Sequence, residues 1–289
     1  MSYRMAVCVK QVPDTENLSG EVMKEDGTVN RSALPSIVNP EDLNALELAI
    51  QVREQEGGEV IAISMGPPSA AEALRECLYR GADRAILLTD RKFAASDTLA
   101  TSYILSCAVR QLGDLDMVLC GRQAIDGDTA QIGPQLAEKL GFPQVTYVQE
   151  VQELEPDRIV LRRSFDEGYE VVEAPLPLLL TVTDEANEPR RPSAKRMMKY
   201  KKARTPDELE KEGREELREE YREKGLLIGQ WGYEDAGCEL EQCGGSGSPT
   251  KVKNIESVKL VSEEHEQIDP SPDGVSQLVQ HLAEEHLFD

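Results

Sequence analysis

The chain has 289 residues, 39% of them hydrophobic and 30% charged, a composition that supplies a packed core and excludes wholesale disorder. Its 54 acidic and 32 basic residues give a net charge of -22, so the surface as a whole repels phosphate backbones and anionic lipid, and no nucleic-acid binding is expected. No apolar run approaches the roughly 20 residues that span a bilayer, and the start of the chain lacks the basic-then-apolar order of a signal peptide, so the expectation is a cytoplasmic protein without direct membrane insertion.

Apolar runs alternate with segments of helical period. Residues 4–9 read as a buried strand. Asn39 is placed to cap a helix, with Pro40 at its first position, Glu41 and Asp42 in its first turn, and Leu43, Leu46, Ala49 and Ile50 on one face. Residues 59–65 form a second strand. Ser69 and Glu72 have capping-box spacing before a helix that Gly81 closes. Residues 84–88 form a third strand, Ser96 caps a helix ended by Gly113, and 116–120 form a fourth strand. A helix over 129–140 is stopped by Gly141. Such alternation requires crossover connections, which gives an α/β fold with a mostly parallel, doubly wound sheet that binds ligands at the carboxyl ends of its strands. Residues 145–151, 158–163, 169–173 and 176–182 read as strands without long helices between them, hence an antiparallel extension of that sheet.

After Asp184 the composition shifts. Residues 190–204 hold eight basic side chains, 207–224 read as a solvated Glu/Arg/Lys helix, 244–249 as a Gly/Ser connector, and 275–288 as an amphipathic terminal helix. The division is a nucleotide-binding α/β domain over 1–189, a basic loop over 190–205, and a charged helix with a C-terminal arm over 206–289.

Cys8, Cys77, Cys107 and Cys120 fall inside apolar segments, where thiols behave as small hydrophobes, so no disulfide framework is expected. Cys238 and Cys243 have no second pair at metal-site spacing, so no metal site is expected there either. His265, His281 and His286 all lie near the chain's end, which leaves the main domain without an imidazole base and disfavours a Ser-His or Cys-His hydrolase. No Gly-x-Gly-x-x-Gly follows the first strand, and 244–251 lack the Gly-Lys-Thr of a phosphate loop.

The loop after the fourth strand, 121–134, runs from a strand end into a helix amino terminus, where backbone amides and the helix dipole hold phosphates. Asp126 and Asp128 compete with that reading, since Asp128 also suits a plain helix cap. Cys8 to Lys10, the Asn39-Pro40 helix start and the turn after Met65 converge on the same sheet edge and outline a nucleotide pocket.

In order along the chain, Val9-Lys10, Asn39-Pro40, Gly66-Pro67, Gly81-Ala82-Asp83-Arg84 and the 123–134 loop resemble the beta subunit of electron transfer flavoprotein, including the nitrogen-fixation type. The likeness continues through Arg163, Asp166, Gly168, Glu170, Pro177, Thr181, Asn187-Glu188-Pro189-Arg190, Met198-Lys199 and Gly247-Ser248-Pro249-Thr250. The resemblance implies a heterodimer with an alpha subunit and an adenine nucleotide in this chain. Simple carriers hold structural AMP; members with Asp-Gly-Asp-Thr-Ala-Gln followed by Gly-Pro, as at 126–134 here, resemble the bifurcating group that binds a second FAD. The implied cofactor is therefore FAD, with AMP as the alternative and NADH as transient electron donor. Its implied ligands are Cys8, Lys10, Asn39, Pro40, Asp42, Met65, Asp126, Gly127, Asp128, Thr129, Gln131, Ile132, Gly133 and Pro134, with amides of 129–133 on phosphate and Gly127 allowing close approach. No catalytic acid or base is needed, because a flavin carries the chemistry.

The implied partners beyond the alpha subunit are a dehydrogenase or quinone-linked oxidoreductase and a ferredoxin or flavodoxin. The implied recognition residues are Arg190, Arg191, Ala194, Lys195, Arg196 and Lys199. Ala194 stands near the place of a leucine anchor in simple carriers and has too little apolar surface for that role, which leaves charge complementarity through the basic cluster. Glu167 departs from the family's Gly or Asp, and 207–224 with the long tail look more like the nitrogen-fixation type. A stress-protein-like ATP-binding module is the reading from another class. An ATP-pyrophosphatase is disfavoured because Gln11-Val12-Pro13-Asp14-Thr15 replaces its Ser-Gly-Gly-x-Asp-Ser loop.

Overall fold

Strand β1 (Tyr3–Cys8) is apolar on both faces because it runs through the middle of the molecule: Tyr3, Met5 and Val7 enter one core, Ala6 and Cys8 the other. The structure, a computed structural model, describes residues 2–14, 35–166, 168–251 and 267–284. Thr15, Glu167, His265, His286 and the end of the expected terminal helix lie outside them.

A small hairpin of β2 (Gln11–Pro13) and β3 (Ser36–Val38) follows β1. Then come α1 (Pro40–Glu56), β4 (Gly58–Met65), α2 (Ala71–Arg80), β5 (Arg84–Leu88), α3 (Thr98–Leu112), β6 (Met117–Gly121) and α4 (Ile132–Leu140). Strands β7 (Gln144–Leu154), β8 (Arg158–Phe165), β9 (Gly168–Pro175) and β10 (Leu178–Val182) precede α5 (Ala194–Tyr200), α6 (Pro206–Lys211) and α7 (Arg218–Glu223). The chain ends with β11 (Gly229–Trp231), α8 (Gly244–Gly247) and α9 (Pro272–Glu284).

Nine strands form one sheet in the order β11-β5-β4-β1-β6-β10-β7-β8-β9. Every pairing from β11 to β7 is parallel, and β8 and β9 add antiparallel strands at the far edge. Helices α1 and α2 cover one face through residues such as Leu46, Ile50, Leu74 and Leu78; α3 and α4 cover the other through Ile104, Leu105, Leu136 and Ala137. Leu46 and Ile50 are fully buried, and each such side chain contributes about 1.5–3 kcal/mol by leaving water. The doubly wound architecture agrees with the periodicity.

Several local expectations are corrected. Strand β10 is not part of the antiparallel extension: it inserts in parallel between β6 and β7, a placement that depends on pairing partners rather than hydrophobic period. Ser69 does not cap α2, since its hydroxyl donates to Gln11 Oε1 (3.4 Å) while Glu72 pairs with Arg75 (2.7 Å). Asp97, not Ser96, caps α3, accepting from the Ala100 amide at 3.0 Å. Helix α4 starts at Ile132, three residues after its expected start, and Asp128 is no cap. Segment 207–224 is not one solvated helix: α6 and α7 are separate, and Leu209 and Tyr221 are buried. The 244–249 connector is ordered, with α8 against α3 and Ser248 buried.

Candidate functional site

The chain leaves β1 through α1 to β4 and β5 on one side, then crosses to β6 on the other, so β1 lies at the point where the strand order reverses. In open α/β sheets the crevice at such a point, beyond the carboxyl ends, is the ligand site. Here it is a cavity of about 350 Å³ lined by the ends of β1 (Cys8, Val9, Lys10), β4 (Met65) and β6 (Cys120, Gly121). The loop 122–131 and the amino-terminal turns of α3 complete the wall. A second cavity of about 650 Å³ shares Met65 and Ser96 with the first and extends along the carboxyl ends of β4 and β5.

The start of α1 has a polar face that is buried, contrary to the usual helix pattern. Asp42 accepts from the backbone amide of Lys10 at 2.8 Å and from that of Gly121 at 3.1 Å, tying the ends of β1 and β6 to one carboxylate. Burial pushes the Asp42 carboxyl up to about 7, against the opposing pull of those amides. Glu41 grips the next two residues, accepting from Arg122 Nη2 at 2.7 Å and from the Gln123 amide at 2.9 Å. Asn39, the expected cap, makes no capping bond: its side chain donates to Gln123 O at 2.8 Å and accepts from the Ile125 amide at 3.1 Å. These three residues clamp the loop from below. A Cβ on Gly121 would lie 2.5 Å from Asp42 Oδ1 and 2.7 Å from the Glu41 carbonyl carbon, so only glycine permits this approach.

Beyond the clamp the loop crosses the mouth of the cavity in an uncommon conformation, with Asp128 at φ 46° and Ala130 at φ 50°. Lys10 and Asp126 form an ion pair at 2.6 Å across the rim. A pair this exposed is worth little, so a bound anion can replace Asp126 as the partner of Lys10. A Cβ on exposed Gly127 would meet nothing within 4 Å, so no part of the described chain packs against that position.

Of the expected ligands, Cys8, Lys10, Asp42, Met65, Gly127, Asp128, Thr129, Gln131 and Ile132 line the cavity. Asn39, Pro40, Asp126, Gly133 and Pro134 do not: Pro40 is exposed, and Gly133 sits where a Cβ would come within 2.4 Å of Thr181 Cγ2, packing α4 on β10. Sequence reasoning missed the α3 start. Ser96, Asp97, Thr98 and Thr101 form the wall opposite the loop, and Thr98 Oγ1 bridges to Gln131 Oε1 at 2.8 Å. The signal lies in Asp97-Thr98, a second pair of capping side chains directly after Ser96 at the helix start. Two helix amino termini therefore face one space rimmed by a lysine and several hydroxyls, with the carboxylates of Asp97 and Asp128 also on its wall and Asp97 already holding the Ala100 amide of α3.

The electron transfer flavoprotein domain matches residues 26–208 of the chain. Over 98% of this chain and 99% of the relative, it is 43% identical to an electron transfer flavoprotein subunit beta from Clostridium acetobutylicum. The chain belongs to the electron transfer flavoprotein beta-subunit family. It is also 43% identical to the caffeyl-CoA reductase-Etf complex subunit CarD of Acetobacterium woodii, covering 86% of each chain, and 40% identical to protein FixA of Azorhizobium caulinodans, covering 92% of this chain and 88% of the relative.

Beta subunits of electron transfer flavoproteins pair with an alpha subunit, and six recognition residues are expected in this chain. Two of them are spent internally. Arg190 pairs with Glu47 at 2.7 Å and Glu54 at 2.6 Å, and Arg196 donates to the carbonyls of Leu78 and Ala82. The basic cluster is thus not one free patch; its outward members include Arg191, Lys195 and Lys199, beside exposed Met197 and Met198 and the small Ala194. Among the described residues no helix is long and apolar enough to cross a membrane, and no group of three or more His, Cys, Asp or Glu side chains can hold a metal ion.

Proposed function

We propose that this beta subunit holds FAD in the switch-point cavity and, paired with its alpha subunit, works in flavin-based electron bifurcation from NADH. The observation that carries the reading is the 127–132 loop on the cavity wall, facing the α3 amino terminus, with Lys10 at the rim. Amides of that loop and of the first turn of α4 are the phosphate donors in this reading, with Thr98 and Thr129 hydroxyls beside them. Met65 and Leu105 are the apolar wall. A flavin there supplies hydride acceptance and electron release one at a time; the chain binds it, orients it and limits its access to water. The neighbouring cavity beyond Met65 favours a dinucleotide over AMP, since it continues the first along the same sheet edge. The name of CarD, a subunit of a caffeyl-CoA reductase-Etf complex, supports an acyl-CoA-type reductase as one partner. A ferredoxin or flavodoxin is the proposed low-potential acceptor.

The test is the nucleotide released on denaturing the purified heterodimer. About two FAD per heterodimer and no AMP is the expected result. One FAD with one AMP replaces the bifurcating assignment with a structural nucleotide.

A further inference from the structure

Strand β7 carries an extra residue against β10. Leu180 pairs with Val145 and Val182 with Val148, so three steps along β7 match two along β10. A bulge of this kind bends its strand and re-aims a side chain. Val145 and Val148 both stay in the core, and the backbone between them turns at Tyr147, which has φ 59°. Glycine adopts such a φ at no steric cost; the other side-chain-bearing residues that do so among those described, Ala95, Asp114, Asp128 and Ala130, are all smaller. A tyrosine there is strained, and its surroundings hold it in place. The Tyr147 amide donates to the buried Thr181 hydroxyl at 3.1 Å, and Arg163 donates twice to Thr146, to the carbonyl at 2.8 Å and to the hydroxyl at 3.0 Å.

The bulge displays the ring to solvent. Tyr147 is 39% exposed, beside the last residue of β10 and hence on the carboxyl edge of the sheet, and its ring centre lies 6.0 Å from the Arg122 guanidinium. Glu41 fixes that guanidinium from behind, accepting from Nη2 at 2.7 Å and from Nε at 3.1 Å. Arg122 belongs to the cavity wall and Tyr147 does not, so the ring faces what lies over the mouth rather than what lies inside it. We infer that Tyr147 is an aromatic anchor for the alpha subunit, set beside the cavity mouth by the bulge. The choice of occupant rests on the cofactor reading above: electrons that leave a cofactor in this cavity reach a group held by the partner only where the partner comes to the carboxyl edge. Tyrosine and arginine carry a large share of binding energy at interfaces, and a ring and a guanidinium already locked in place lose little freedom on contact.

Glycine takes φ 59° freely, so Tyr147→Gly removes the ring and leaves the bulge. The rate at which the purified heterodimer exchanges its alpha subunit for a tagged copy reads the lifetime of the interface. The expected result is exchange about tenfold or more faster in Tyr147→Gly and no more than about threefold faster in Tyr147→Phe, which keeps the ring. Amide hydrogen exchange in β7 and β10, measured where the heterodimer is intact, is expected to be no faster in the glycine variant. An unchanged subunit exchange rate in Tyr147→Gly overturns the inference, and so does faster subunit exchange accompanied by faster amide exchange in β7, which makes the ring a structural part of this chain. Loss of bound nucleotide at an unchanged subunit exchange rate gives the ring to the cavity ligand and overturns it too. Whether the nucleotide is FAD or AMP is read from its release on denaturation, so the cofactor assignment stands or falls separately.

Discussion

Asp42 joins the ends of β1 and β6 by accepting the amides of Lys10 and Gly121 with its two carboxylate oxygens. Asp42→Asn keeps one acceptor oxygen but turns an NH2 toward an amide donor, so it is expected to cost roughly 1–3 kcal/mol in denaturant unfolding. Its pH dependence is a sharper check. The carboxyl rises from 3.8 to about 7 on folding, so between those values the folded chain keeps a proton that the unfolded chain releases. The contribution of Asp42 is therefore full below about pH 4, is lost as the pH rises toward 7, and changes no further above it. Subtracting the stability of the Asn variant from that of the wild type should isolate this slope; parallel curves would remove the assignment. Gly121→Ala drives a Cβ into Asp42 and the backbone of α1, and is expected to destabilise by about 1–3 kcal/mol or more with loss of bound nucleotide on purification. At this scale the convergence of Lys10, the α1 start and the 121–134 loop on one sheet edge was legible from strand ends and helix starts, while Asp42 as a pocket residue came only from the family resemblance. That Asn39 and Glu41 brace the loop, rather than cap a helix or touch the cavity, was not legible: capping and cross-linking draw on the same side-chain oxygens, and only tertiary position chooses between them.

The helices that face the cavity depend on their first turns. Asp97 satisfies the Ala100 amide of α3 and, through its other oxygen, the Thr250 amide of the segment beyond α8. Although burial opposes it, hydrogen bonds from Ala100, Thr250 and Leu99 hold the Asp97 carboxyl below its usual range. Asp97→Ala removes a cap and a tether together; the expected cost is about 1–2 kcal/mol, with faster amide exchange confined to the first turn of α3 and to 244–250. Uniform acceleration along the chain would mean that the residue serves global stability instead. Element identity was read well where apolar period and terminators agreed, as for α1, α3, β1, β4, β5 and β6, whereas the three-residue strands β2 and β3 are too short to show a period and were not read. Boundaries failed where a loop carried helix-forming residues: Thr129-Ala130-Gln131 suits a helix, yet positive φ at Asp128 and Ala130 delays α4 to Ile132. The split between α6 and α7 was hidden by uniform charge, since dense Glu, Arg and Lys support helix throughout and conceal the buried Leu209 and Tyr221.

Across the whole molecule, the terminal helix α9 presents Val275, Leu278 and Val279 to solvent with exposures of 54%, 40% and 50%. In the proposed heterodimer this stripe is an arm of the alpha-subunit interface, and the expectation for Leu278→Asp is a drop in alpha-subunit affinity of about tenfold or more. The isolated chain should melt at an unchanged temperature; a drop in that temperature without loss of affinity would place the stripe in this chain's own core. The doubly wound class was legible from alternation alone, but strand order was not, because hydrophobic period says which faces are buried and nothing about neighbours. Strand β10 is where that matters most. Among the described strands it alone links the parallel half of the sheet, ending at β6, to the meander of β7, β8 and β9. During synthesis β1, β4, β5 and β6 on one side and β7 to β9 on the other emerge before it does, and only β11 follows. A nascent chain that has not yet delivered Leu178–Val182 carries two partial sheets with unpaired inner edges, one along fully buried β6, and such edges recruit copies of themselves from neighbouring ribosomes as readily as they await their own strand.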